Sequence, residues 1–288
     1  GSEMCIRDRD MKKILFPTDF SETANNALVY ALNLAENQNA ELYVLHTYSA
    51  PIVNGGYSPE LVFTVYESIE LGTFENFKDQ IPAIREIAER HNLGHIPMKF
   101  ILKEGFLVTN IQDIVKEENI DVVVMGTNGA SGIDKVLFGS NTINVVSKIK
   151  TPVLCVPIDA EFRGIKSICF TTNFEEKDID TLYHMIEIAE RYNAIVHCVN
   201  INNKNENIEE LQIWKERFND EPVQFHIVYN EKDAEKAVLD FIDTNQIDVV
   251  ASVARHKTFF EKIFGRSFTK KLTYHSKIPV YVFHEQKE

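Results

Sequence analysis

The feature that most constrains this chain is that it repeats itself. Lys13-Ile-Leu-Phe-Pro-Thr-Asp-Phe20 returns as Ser167-Ile-Cys-Phe-Thr-Thr-Asn-Phe174. Leu34-Ala-Glu-Asn-Gln-Asn-Ala40 returns as Ile188-Ala-Glu-Arg-Tyr-Asn-Ala194. Ile120-Asp-Val-Val123 matches Ile247-Asp-Val-Val250, and Thr151-Pro-Val153 matches Ile278-Pro-Val280. The blocks keep their order, so the chain reads as two copies of one fold. We expect domains at 11–159 and 160–288, meeting between Asp159 and Gly164. The first copy carries a longer segment between its second and third strands. Residues 1–10 show no apolar period and read as a non-native leader, left out of the fold reasoning.

Within each half, short apolar runs alternate with helical periods. Strands are expected near 12–17, 41–47, 97–103, 121–126 and 152–156, then 166–171, 194–200, 223–229, 247–253 and 279–283. Such Val/Ile/Leu runs suit strands covered on both faces. Helices fit at 21–37, within 60–92, at 107–119 and at 140–149, with Ser21 as an N-cap. Strand–helix alternation implies an α/β fold: a parallel sheet in each half with helices on both faces. The stretch Pro51 to Leu71 supports either a helix start or an extended arm. Trp214 is expected to pack one face of a helix, and His46 to be a core histidine.

Composition narrows the partners. The net charge of −13 repels a nucleic-acid backbone, so DNA and RNA are set aside. No apolar run approaches the roughly 20 residues of a membrane helix, and no secretory pattern is present, which makes the cytoplasm the expected location. Cys155, Cys169 and Cys198 each fall in a strand-like run without metal-ligand spacing, and read as reduced core residues.

One stretch carries chemistry. Val123-Val-Met-Gly126-Thr-Asn-Gly129 is followed, after nine residues, by Gly139-Ser140-Asn141-Thr142. A buried strand ends, two glycines allow a turn and a close approach, and a Gly-Ser pair opens a helix. Free amides at a helix N-terminus, with the helix dipole behind them, suit a phosphate. Each glycine alone is weak; the full spacing in a strand-to-helix context is specific.

Gly-x2-Gly-x9-Gly-Ser resembles the ATP-binding signature of the universal stress protein family, and Ile14-Leu-Phe-Pro-Thr-Asp-Phe-Ser21 resembles that family's first strand and turn. The resemblance covers 11–288, with motif-level detail in the first half. It implies tandem open-sheet domains of a Rossmann-like, adenine-nucleotide-binding type, each five-stranded in the order 3-2-1-4-5. It implies that Pro17, Thr18 and Asp19 hold adenine and ribose, and that the backbone of Thr47 meets adenine. Met125, Gly126, Thr127 and Gly129 would wrap ribose and phosphates, while Gly139, Ser140, Asn141 and Thr142 would take the phosphates. Asn141 stands where the family usually has an apolar residue. The strand order puts the chain reversal between strands 1 and 4, where open α/β sheets bind ligands. Mg²⁺ or Mn²⁺ would be held through the phosphates.

Other readings stand beside this one. Asp19 could cap the next helix, and Ser140 could be an ordinary N-cap. No residue is placed as a general base, and no P-loop is present, so a binding regulator is favoured over a slow ATPase or an autophosphorylating enzyme, for which Asp19 or Ser140 would be suspected first. A phosphorelay receiver is discounted, because the third strand ends at Lys103-Glu104-Gly105 rather than at an acceptor aspartate. The second half has lost the motif: Asn173 replaces Asp19, Thr171 replaces Pro17, Val253 replaces Gly126, and His256 stands near the place of Gly129; Gly265 survives, followed by Arg266 and Ser267. That half is expected not to bind ATP; Arg255, His256, Lys257 and Arg266 read as solvated charge. The two apolar fifth strands are expected to pair edge to edge as an internal pseudo-dimer, and a homodimer of the whole chain is open.

Overall fold

A computed structural model of the chain describes residues 11–50, 58–127, 139–202, 208–229, 234–254 and 278–284. The first half runs β1 (Lys13–Pro17), α1 (Glu22–Gln38), β2 (Glu41–Tyr48), α2 (Pro59–Arg90), β3 (Met98–Glu104), α3 (Leu107–Glu118), β4 (Val122–Gly126), α4 (Ser140–Lys148) and β5 (Val153–Val156). The second runs β6 (Ser167–Thr171), a short 3-10 helix (Glu176–Asp178), α5 (Ile179–Tyr192), β7 (Ile195–Asn202), α6 (Ile208–Arg217), β8 (Val223–Tyr229), α7 (Ala234–Thr244), β9 (Val249–Ala254) and β10 (Val280–His284).

All ten strands join one sheet in the order β3-β2-β1-β4-β5-β10-β9-β6-β7-β8. Each half thus contributes a parallel 3-2-1-4-5 unit. The halves meet where β5 and β10 pair antiparallel, Val280 opposite Cys155 and Val282 opposite Val153. An apolar edge left open would invite foreign strands; here each edge closes the other.

Local sequence explains the element ends. Ser21 caps α1, its hydroxyl accepting from the Ala24 amide at 3.2 Å. Asn39, Asn119 and Asn193 end α1, α3 and α5 with φ of 50°, 54° and 52°, the left-handed conformation asparagine tolerates better than most side chains. Ser58 caps α2 and Pro59 opens it, so Leu61 to Val65 lie in a helix and not in an extended arm. Residues 51–57, the rest of that ambiguous stretch, lie outside the described residues.

Burial then joins the halves. One apolar cluster runs along a single face of the whole sheet, gathering α1, α2, α5 and α6; Leu28, Leu32, Phe170, Leu182 and Trp214 belong to it. On the opposite face there are two clusters: Ile111 and Val145 pack with Leu15, Cys155 and, across the seam, Val282, while Val238 and Ile242 pack with Cys169 and Val199. Trp214 packs edge-on against Phe174 at 5.5 Å, inside the shared core. Cys155, Cys169 and Cys198 are buried and free, and burial pushes the Cys169 thiol up to about 12, which makes it an inert core residue. Polar ties cross the same seam: the Tyr192 hydroxyl donates to the Asn33 carbonyl at 3.0 Å, and His284 Nε2 donates to the Val146 carbonyl at 2.7 Å.

Candidate functional site

The site grows from the carboxyl ends of β1 and β4, the point at which the strand order reverses. As β1 ends, the chain turns sharply. The Thr18 amide donates to the Leu45 carbonyl at 2.8 Å, one last ladder bond to β2. The Thr18 hydroxyl accepts from the Phe20 amide at 3.0 Å, and Asp19 Oδ1 accepts from the Ser21 amide at 3.1 Å. These side-chain bonds hold Phe20 in the left-handed region, at φ 61°. The turn delivers the chain into α1 and leaves Asp19 exposed at its crest.

Across the crevice, β4 ends at Gly126. The reason for glycine there is a close approach. Gly126 is not at positive φ; among the described residues the glycines at positive φ are Gly105 and Gly164. Instead α1 crosses it closely. A Cβ at Gly126 would stand 2.8 Å from Thr23 Cγ2 and 3.0 Å from the Thr23 carbonyl oxygen. The position is reserved for a residue without a side chain because the first turn of α1 occupies that space.

The far wall is the start of α4. Gly139 sits at the N-cap, its amide donating to the Thr127 carbonyl at 2.5 Å. Helix geometry leaves the amides of Ser140, Asn141 and Thr142 without intrahelical acceptors. Thr142 anchors this end: its hydroxyl donates towards the Gly126 carbonyl at 3.0 Å and the Thr127 carbonyl at 3.2 Å. Its side chain therefore fastens α4 to β4 and is spent on the scaffold.

These pieces enclose a cavity of about 370 Å³. Ten of the residues named from sequence line it: Pro17, Thr18, Asp19, Thr47, Met125, Gly126, Gly139, Ser140, Asn141 and Thr142. Thr127 does not; it is 2% exposed and buried behind the wall, with both backbone groups bonded. Gly129 lies outside the described residues, as do His256, Gly265, Arg266 and Ser267. Three lining residues were missed, Ala24, His46 and Leu107. Ala24 is a small residue in the first turn of α1, and Leu107 opens α3 just beyond β3; the βα junctions of such a sheet all converge here, which was the available signal. His46, read as a core histidine, is half-buried at the cavity wall, with Nδ1 2.8 Å from the Thr18 carbonyl. Among the described residues no group of three or more His, Cys, Asp or Glu could hold a metal ion.

At the corresponding strand ends of the second half, described side chains bond to one another. The turn recurs: the Phe174 amide donates to the Thr172 hydroxyl at 2.8 Å, with Phe174 at φ 59°. Thr171 and Ser252, in the places of Pro17 and Met125, bond to each other at 2.8 Å. Asp178, in the place of Ala24, is fully buried and accepts from the Thr172 hydroxyl at 2.6 Å. Val253 stands where Gly126 does, 4% exposed.

Fold and crevice together define an open-sheet α/β protein with a cavity at the topological switch point of its first half. Comparison with known proteins gives the family. The universal stress protein family profile matches residues 11–157, just over half of the sequence, and the chain belongs to that family. The universal stress protein MJ0577 of Methanocaldococcus jannaschii is 31% identical over 157 residues, covering 50% of this chain and 94% of its own. MJ0531 of the same organism is 28% identical over 146 residues, covering 50% and 81%. A universal stress protein from Archaeoglobus fulgidus shares the fold along nearly the full length, with a TM-score of 0.69 at 17% identity, covering 95% of this chain and 98% of that one. Among the described residues no helix is long and apolar enough to cross a membrane.

Proposed function

We propose that this protein is an ATP-binding regulator whose nucleotide sits in the first of two domains, 11–159 and 160–288. One observation carries the reading: a single cavity reaches from the apolar ends of β1 and β4 to the N-terminus of α4. Its volume, about 370 Å³, lies in the range of small-molecule sites. Pro17, Leu107 and Met125 offer an apolar berth for a base, and Asp19 a carboxylate for ribose hydroxyls. The α4 amides with their helix dipole suit the phosphates. Mg²⁺ or Mn²⁺ would arrive with the phosphates and keep most of its waters. Buried, reduced cysteines suit a cytoplasmic setting, where ATP is abundant.

Asp19 and the Ser140 hydroxyl are the groups a turnover reading would use first, and we favour retention of nucleotide over turnover. Isothermal titration of the full chain with Mg·ATP is expected to give one site, and radiolabelled ATP to be held without steady turnover. Two equal sites, or no heat at all, would contradict the assignment; sustained release of phosphate would make the protein an enzyme.

A further inference from the structure

We infer that His46 is the positioning residue of the nucleotide site: it clamps the Thr18 carbonyl and so sets the turn that presents Asp19. This inference rests on the ATP reading above for its ligand, though the clamp itself is a matter of geometry. A carbonyl oxygen can only accept, so His46 Nδ1, 2.8 Å away, carries the proton. In the neutral ring this fixes the tautomer, Nδ1–H with a bare Nε2. Phe20 and Phe77 flank the ring at 4.8 and 6.0 Å between centroids and hold it in that orientation.

The second half supplies an internal control. Asn200 occupies the position of His46, and its Nδ2 donates to the Thr172 carbonyl at the same 2.8 Å. Two different side chains thus converge on one task, bonding the carbonyl that follows the first strand. A core-filling role would not need a donor at that spot.

The two turns are not equally braced. In the second half Asp178 also grips the Thr172 hydroxyl, at 2.6 Å. In the first half that place is taken by Ala24, which has no polar group to offer and lines the cavity instead. The His46 bond is thus the side-chain hold on the Thr18 carbonyl in the half whose turn lines the cavity. Thr18, Asp19, His46 and Thr47 all line that cavity, so any drift of the turn moves the ligand's contacts directly.

The test uses the full chain and two substitutions. His46→Asn copies the second half and keeps a donor; His46→Leu keeps bulk and removes the donor. Titration calorimetry with Mg·ATP is expected to show His46→Leu weakened about tenfold, the size of one well-formed hydrogen bond, and His46→Asn within about threefold of wild type. Wild-type affinity in His46→Leu, or a loss in His46→Asn matching that of His46→Leu, overturns the clamp. Should His46→Leu fail to fold, His46→Asn decides alone: a tenfold loss there refutes it. Long-range proton–nitrogen NMR of the nucleotide-free protein adds an arm independent of ATP. It is expected to show the Nδ1–H tautomer, and the Nε2–H tautomer refutes the inference. If wild type takes no ATP while this tautomer is found, the functional reading fails and the clamp stands.

Discussion

At the end of its first strand each half of the molecule builds the same turn, and among the described residues the two turns have different surroundings, the first lining a cavity. Thr18 and Thr172 each accept from the amide two residues on, and Phe20 and Phe174 share a left-handed φ near 60°. What surrounds them differs. In the first half Thr18 and Asp19 line a cavity together with Ala24 and Gly126. The second bonds polar groups to one another, Thr171 with Ser252 and Thr172 with Asp178. The helix that follows also differs. Ser21 caps α1 by a side-chain bond, whereas Glu175 in the same place makes none, and the first turn tightens into a 3-10 helix before α5 begins at Ile179. That altered entry accompanies the valine at 253. The comparison teaches that the turn belongs to the scaffold, while the ligand cavity is a matter of what the neighbouring positions leave empty.

The largest expected effect comes from closing the first half at its tightest point. Gly126→Val would set a branched side chain against the Thr23 backbone, 3.0 Å from its carbonyl oxygen at Cβ alone. Overpacking of this kind costs about 1–3 kcal/mol. We expect both loss of ATP binding and a melting temperature lower by several degrees, at roughly 2–4 °C per kcal/mol for a chain of this size. Gly126→Ala should show a smaller version of the same shift. A Gly126→Val protein that melts with wild type would mean that α1 yields freely, and that the two halves differ for some other reason.

A subtler conversion is Ala24→Asp, which gives the first half the residue its partner carries at 178. The new carboxylate would enter the cavity floor, taking volume and adding negative charge beneath an anionic ligand. The Thr18 hydroxyl, placed like that of Thr172, is available to receive it, so the fold should persist. We expect ATP affinity to fall by tenfold or more, with circular dichroism unchanged. Undiminished binding would show that the floor of the cavity lies away from the nucleotide.

The sequence made some of this plain and hid the rest for physical reasons. The strands were legible because β1, β4, β6 and β9 are flanked by strands and covered by helices, so their apolar runs are unbroken. The edge-to-edge meeting of β5 and β10 followed from two apolar edge strands that each needed a partner. The glycines and the Gly-Ser pair stood out by their spacing at a strand-to-helix junction, whereas Pro17, Thr18, Asp19 and Thr47 were named through the resemblance to the universal stress protein family. Gly126 was read as allowing a turn and a close approach, and the close approach is that of α1 at Thr23: a spacing motif reports that glycine is needed, not which neighbour demands it. Ala24 was invisible because a small residue in a helix is ordinary until a cavity opens beside it. His46 was misjudged because an apolar run such as Leu42 to Leu45 gives no sign of where the strand emerges from the core. Thr127 sits one residue past the strand, where sequence cannot say which way the side chain turns.

The smallest effect separates the halves by acid. Three histidines of the second half are held below the ordinary imidazole value by burial: His197, His226 and His284. His197 Nδ1 and His226 Nε2 face each other at 3.1 Å beside Phe241, so a charge on His226 also opposes one on His197. His284 spends its Nε2 proton on the Val146 carbonyl, and its Nδ1 is buried with no hydrogen-bond partner among the described residues, so a second ring proton there would find no acceptor among them. For all three the folded state prefers the neutral ring more than the unfolded chain does. Above about pH 6.5 both states are neutral and the full stability is present. As the pH falls below that value the unfolded chain takes up protons that the folded one resists, and stability declines until the folded rings titrate in turn. The sign is therefore acid destabilisation beginning near pH 6.5, and it belongs to the second half. Thermal melts between pH 7.5 and 5 should show a midpoint that drops by a few degrees, and the drop should shrink in the double substitution His197→Phe with His226→Phe, which removes two of the rings. Carboxylate pairs such as Lys12 with Glu187 titrate at lower pH and would leave this window unchanged. A midpoint that stays level from pH 7.5 to 5, or a decline that persists in full after both substitutions, would show that the buried histidines do not set the acid response of the second half.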